Sequence, residues 1–295
     1  LLIDDIEVIA EANFIANKLG LDTISTGQTI AFAMELNEEG IKPFVDSKLE
    51  WGNGEALLET IENIAYKRDL GDLLADGVKK LAEKVGQPEH PGAVHVKGLE
   101  FPAHDPRAFS SLAVGYATSN RGACHLQGAT YTFEKGVLLP ELGYTEKQDR
   151  FASEGKGVLN FHAQNLMSLM DSLKLCKFLL YGKVTLTDIL DWIEQVIGWK
   201  MSVEELMLTG ERLYNLKRMI NNIRGVSRRD DKLPSRILND PRNDDDTRTR
   251  NYLPPLQEML EEYYDIRGWD EEGKPNKEKL IELSLFEILS EEDTE

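Results

Sequence analysis

Along most of the chain apolar residues return every three or four positions, and a glycine stops many of these runs. Residues 4–19 carry Ile6, Ile9, Ala10, Ile15, Ala16 and Leu19 ahead of Gly20. Leu57, Leu58, Ile61, Ile64 and Ala65 repeat the pattern over 54–66, and Leu70, Leu74, Val78, Leu81 and Val85 repeat it again before Gly86. This period suits one face of a helix and leaves no alternating face for a strand. Ser25-Thr26-Gly27-Gln28 and Ser202-Val203-Glu204-Glu205 have the form of capping boxes, opening helices toward Gly40 and Arg224. Further helical runs cover 158–181, 185–197, 255–266 and 276–284, the first two stopped by Gly182 and Gly198. The pattern predicts an all-α, multihelical fold.

Between Gln87 and Lys156 the period disappears, and Pro, Gly and His become frequent. A patternless stretch of that length is either a domain boundary or functional backbone. A boundary near 87–97 predicts two lobes, 1–96 and 97–295. The charged, proline-broken run from Ser227 to Asn251 reads as an exposed loop, and the chain closes on an acidic tail.

Charge narrows the function. The sum over 34 basic and 52 acidic residues is −18. Phosphate backbones and anionic bilayers both select basic surface, so neither a nucleic acid nor a membrane surface is expected as a partner. No apolar run approaches the roughly 20 residues that span a bilayer. Two cysteines, Cys124 and Cys176, make no disulfide framework, which points to a reducing cytoplasm. The opening Leu1-Leu2-Ile3 shows no initiator Met, basic leader or signal peptide, so the chain reads as a piece of a longer protein.

The five histidines form no His-x3-His pair and the cysteines lie 52 positions apart, so no metal site is encoded by local spacing. Nucleotide loops and nucleophile elbows are also missing. Three segments remain irregular. Asn17-Lys18-Leu19-Gly20-Leu21-Asp22 is either an ordinary helix end or backbone exposed toward a ligand. Residues 116–125, Tyr-Ala-Thr-Ser-Asn-Arg-Gly-Ala-Cys-His, form either a solvated turn or a cradle for a polar group. Asp171-Ser172-Leu173-Lys174-Leu175-Cys176-Lys177-Phe178 places its cysteine either inside a helix or at a site.

Taken in order, these segments resemble the C-terminal part of the tungsten-containing aldehyde ferredoxin oxidoreductase family. So do Gly20-Leu21-Asp22-Thr23-Ile24-Ser25, Asp72 to Gly77, Lys97-Gly98-Leu99-Glu100-Phe101-Pro102, His104-Asp105-Pro106-Arg107, Asp231-Lys232-Leu233-Pro234 and Tyr264 to Trp269. The resemblance implies the family's two mainly helical C-terminal domains, with 1–96 in its second domain and 97–295 as its third.

It also implies a cofactor site. The family holds tungsten, or rarely molybdenum, between two pterin dithiolenes beside a [4Fe-4S] cluster. Its pterin motifs have the form Asp-x-x-Gly-Leu-Asp and Asp-x-x-Gly-Leu-Cys. The first falls on Asn17, Gly20, Leu21 and Asp22, with Asn17 in place of Asp. The second falls on Asp171, Leu175 and Cys176, with Lys174 in place of Gly. Cys176 corresponds to the last cluster ligand, the other three lying in a motif that would precede Leu1. His125 corresponds to a histidine near the metal, a general acid or base titrating in the ordinary imidazole range. The family's inter-subunit Glu-x-x-His iron pattern is broken here, since Glu11 is followed by Phe14.

The expected activity of the whole protein is oxidation of an aldehyde to a carboxylic acid with ferredoxin as electron acceptor, as a homodimer, with the piece alone inactive. The alternatives are the tungsten subunit of an aromatic-ring acyl-CoA reductase and a helical interaction domain without cofactor.

Overall fold

The computed structural model describes residues 1–242 and 251–287. The described chain is helical, with fourteen α-helices, three short 3-10 turns and a single two-stranded hairpin. Residues 243–250 of the expected loop and the acidic tail from 288 lie outside the described residues. No described helix is long and apolar enough to cross a membrane.

The chain divides into two compact units, one of 1–103 with 234–236 and one of 104–233 with 237–295. In the first, α1 (Ile6–Lys18), α2 (Thr23–Glu38), α3 (Gly54–Tyr66), α4 (Leu70–Leu74) and α5 (Gly77–Lys84) are followed by the hairpin β1 (His95–Val96) and β2 (Leu99–Glu100). Ile30, Phe32, Met34, Leu36, Leu57, Ile61, Leu74 and Leu81 fill its core. The run over 70–85 is two helices because Gly77 takes φ 81° and breaks it. The hairpin turns on Lys97 and Gly98, both at positive φ, the combination that matches strand twist in a two-residue turn.

The second unit runs through α6 (Ser111–Thr118), α7 (His125–Gly128), α8 (Tyr131–Lys135), α9 (Lys156–Ser172), α10 (Leu186–Ile197) and α11 (Val203–Ile223). The short α12 (Ser235–Asn239), α13 (Leu256–Arg267) and α14 (Lys277–Glu282) complete it. Three expected ends appear as geometry, Thr185 and Ser202 closing reciprocal capping boxes and Gly198 ending α10 in the left-handed conformation, whereas the run expected over 158–181 stops at Ser172, short of Gly182.

Helix α9 is the axis of this unit and is buried on nearly all sides, against α11, α13, α6 and α7. Its polar residues are therefore paired inside. Asn160 donates to the Ser111 carbonyl at 2.9 Å, and Gln164 donates to Thr118 Oγ1 at 3.1 Å. Arg267, fully buried, donates to Asn165 Oδ1 and Gln164 Oε1, at 2.6 and 3.0 Å, and lies over the ring of Tyr214. Arg218 and Asp231 form a bidentate pair at 2.9 and 2.8 Å. Lys156 and Glu134 form a third buried pair at 2.6 Å, and burial still raises the Glu134 carboxyl above its ordinary range.

Candidate functional site

The segment Asn17–Asp22 ends α1 in a Schellman motif. Leu21 N–H donates to the Ala16 carbonyl at 2.8 Å and Gly20 N–H to the Asn17 carbonyl at 3.2 Å. Gly20 sits at φ 75°, and an added Cβ there would meet nothing within 4 Å, so this helix end is open. Leu21 turns inward onto the first core. Asp22, at φ −67° and ψ 123°, then caps α2: its Oδ1 accepts the Ser25 N–H at 2.8 Å. The cap expected at Ser25 is thus one turn earlier. Ser25 lies inside the helix, and its hydroxyl donates to Glu100 Oε2 at 2.7 Å.

Glu100, 4% exposed, uses its other oxygen to accept the Val78 N–H at 2.8 Å, at the start of α5. An added Cβ at Gly77 would lie 2.5 Å from that oxygen, so the glycine is required by close approach as well as by φ. One buried carboxylate therefore fixes two helix starts beside the Asp22 turn.

The segment Asp171–Cys176 repeats the first arrangement bond for bond. Leu175 N–H donates to the Met170 carbonyl at 2.8 Å and Lys174 N–H to the Asp171 carbonyl at 3.3 Å. Lys174 replaces glycine yet keeps its conformation, at φ 60°. Leu175 packs on the second core. Cys176, at φ −68° and ψ 126°, occupies the place of Asp22 and heads the 3-10 turn Lys177–Leu180. Its thiol is free and exposed, whereas Cys124 is free and half-buried.

An acid in the last turn of a helix faces the negative end of the helix dipole. Asp171 is in that position, and Lys177 Nζ lies 3.0 Å from its Oδ1. The same ammonium donates to the Leu126 carbonyl at 2.8 Å. Within the second unit the structure thus brings the His125 turn and the Asp171–Cys176 helix end together, through a lysine to which the sequence reading gave no role.

His125 opens α7, half-buried. Its ring stacks on His104, with centroids 4.6 Å apart and planes 11° apart, and Tyr131 lies 6.2 Å away. Burial, then the neighbouring His104, Lys177 and Arg121, lower its pKa to about 4. The expectation of ordinary titration is corrected here: burial and these neighbours hold the ring neutral well below the ordinary imidazole range and make it a weak base. His104 is lowered too, by burial and then Lys135, and its buried Nδ1 has no hydrogen-bond partner among the described residues.

The donor types fit the groups implied by the resemblance. Two open helix ends carry an exposed carboxylate each, able to accept from pterin N–H groups, and an exposed thiol is the ligand type of an iron–sulfur cluster. No three metal-ligating side chains gather among the described residues. Cys176 by itself therefore makes no cluster site among the described residues.

Residues 1–285 match the family described as aldehyde ferredoxin oxidoreductase, domains 2 and 3. The tungsten-containing aldehyde ferredoxin oxidoreductase of Thermococcus kodakarensis is 40% identical over 97% of this chain and 47% of its own length. That of Pyrococcus furiosus is 41% identical over 97% and 46%. The chain thus spans about half the length of the curated relatives it matches. Among solved structures, the active-site complex BamBC of benzoyl coenzyme A reductase with 1,5-dienoyl-CoA superposes with a TM-score of 0.68. That match covers 92% of this chain and 45% of the other at 22% identity, a likeness of fold.

Proposed function

The chain belongs to the aldehyde ferredoxin oxidoreductase family, and from that premise we propose that it is the cofactor-holding helical portion of a tungstopterin aldehyde oxidoreductase. The observation that carries the reading is the match over residues 1–285 to domains 2 and 3 of that family.

Asn17, Gly20, Leu21 and Asp22 would hold one pterin, and Asp171, Leu175 and Cys176 the other. Leu21 and Leu175 act from behind, anchoring each turn to its core. The carboxylates of Asp22 and Asp171 accept hydrogen bonds from pterin N–H groups. Asn17 keeps an acceptor oxygen without the charge. Cys176 supplies one thiolate to a [4Fe-4S] cluster, the remaining three coming from elsewhere in the full-length protein. When bound, the tungsten centre and the cluster would supply the two-electron redox chemistry by which an aldehyde and water become a carboxylic acid, with ferredoxin as the acceptor. The His125 imidazole, kept neutral by burial and its cationic neighbours, would serve as a hydrogen-bonding group beside the metallocofactor. Residues 1–96 and 97–295 would be the family's second and third domains, in a cytoplasmic homodimer.

Purified full-length protein from tungstate-supplied cells tests this. The expected result is about one tungsten per protomer and aldehyde-dependent reduction of ferredoxin. Turnover of an aromatic acyl-CoA thioester in place of aldehydes would assign the protein to the ring-reductase branch of the fold. Absence of tungsten and of both activities would leave a helical interaction domain.

A further inference from the structure

We propose that Lys177 is a positioning residue of this site, whose ammonium fixes the His125 turn against the Asp171–Cys176 helix end. The inference rests on the reading above and extends it to a residue outside the pterin motifs. Lysine ammoniums ordinarily remain in water, because solvation is strong and the stem is flexible. The Lys177 side chain is instead only 16% exposed. Its ammonium is turned onto two acceptors from different segments: Asp171 Oδ1 at 3.0 Å, in the last turn of α9, and the Leu126 carbonyl at 2.8 Å, in α7.

Helix α7 has a single turn and little stability of its own, so tethers decide where its first side chain points. One tether is on the side of α6, where Ser119 Oγ donates to Gln127 Oε1 at 2.6 Å. Lys177 supplies the opposite one, one residue beyond His125. With both in place the imidazole stacks on His104, which itself lies against Tyr131. Without Lys177 the turn loses this tether to the last turn of α9, and the negative charge of Asp171 faces the helix dipole unaided.

The same placement gives Lys177 an electrical effect on His125. The groups facing this imidazole are His104 from the loop before α6, Arg121 from the turn after α6, Tyr131 from α8 and Lys177 from the 3-10 turn. The three that carry or can carry positive charge oppose its protonation. Neutralising Lys177 removes one of them. This effect distinguishes positioning beside His125 from generic support of the fold.

The test compares wild type, Lys177→Met and Lys177→Arg. Imidazole titration by NMR in the 295-residue chain is expected to show the His125 pKa moving upward in Lys177→Met and staying near wild type in Lys177→Arg. In the full-length enzyme, Lys177→Met should lower kcat roughly ten- to a hundredfold with tungsten content retained, and Lys177→Arg should recover most of the loss. An unmoved His125 titration together with wild-type turnover in Lys177→Met would overturn the proposal. Equal loss of tungsten and thermal stability in both variants, with no charge-dependent shift at His125, would also overturn it by showing structural support alone. Failure of the oxidoreductase reading shows separately, as wild-type protein without tungsten, and the NMR comparison still decides the placement of Lys177.

Discussion

An imidazole in water titrates near 6.5, whereas burial beside His104, Lys177 and Arg121 lowers that of His125 to about 4. Residue type and order were enough to single out His125, but its protonation state depends on neighbours up to 52 positions away. Lys177 was illegible for the same reason: a lysine in a polar stretch looks solvated until its two acceptors are placed. Cys176 was legible as a type and in its motif, and the structure adds its exposure. That exposure supports a contrast between the two cysteines. Serine is a poor substitute for a thiolate ligand, so full-length Cys176→Ser should lose most of its cluster iron and visible absorption. Cys124→Ser, in a half-buried side chain with no ligand role, should keep both at a cost of about 1 kcal/mol in stability. Iron content of the two purified variants checks this, and iron lost from Cys124→Ser but kept by Cys176→Ser would reverse the ligand assignment.

At the scale of elements, stops were easier to read than starts. Gly20 and Gly198 end their helices in the expected left-handed conformation, because few other residues adopt it without cost. The start at Ser25 was misplaced because Asp22, three residues earlier, competes for the cap and wins, while the Ser25 hydroxyl is recruited by Glu100. That contact spans 75 positions and has no local signature. The run over 70–85 was read as one helix since its apolar period continues across Gly77, whose break depends on the distant Glu100. The matched helix ends allow a reciprocal experiment. Lys174 holds φ 60° without being glycine, a conformation costing an L-residue about 1–2 kcal/mol. Lys174→Gly should therefore raise unfolding stability by about 0.5–1 kcal/mol, after the added chain entropy of glycine. Gly20→Ala, at φ 75° in open space, should lower it by about 1 kcal/mol through backbone strain alone. Urea midpoints at unchanged slope measure both. A stabilising Gly20→Ala would show that this helix end does not hold the left-handed turn.

For the molecule as a whole, helical class was legible because one period dominates the sequence and the glycine stops agree with it. The stretch 87–156 was not, since its short helices α6, α7 and α8 are held by buried side-chain bonds such as Ser111 Oγ to Glu134 Oε2, at 2.7 Å, and carry little periodic signal. Burial in the second unit also sets the response to acid. His104, His125 and His162 are all lowered, chiefly by burial, with Lys135, His104 and Arg267 respectively the first charged neighbours to add to it. In the unfolded chain these imidazoles take up protons near 6.5, while the folded ones resist until lower pH. Between those values the unfolded state binds more protons, so stability falls as pH falls, and the His125 share is lost progressively down to about 4. Glu134 works in the opposite direction, because its raised pKa lets the folded state bind a proton first. It is one group against three, and its unfolded counterpart titrates well below the histidines. Protonation of the other carboxylates, which would relieve repulsion within a chain of net charge −18, also belongs mainly below pH 5. From pH 7.5 to 5.5 the histidines act with the Leu1 α-amino group, which burial also lowers, and against Glu134, so the share of one imidazole is read from its substitution. The urea midpoint should drop over that range, and His125→Gln should drop less than wild type because one proton-linked group is gone. A drop in His125→Gln as large as in wild type would mean that the folded chain does not hold the His125 imidazole neutral.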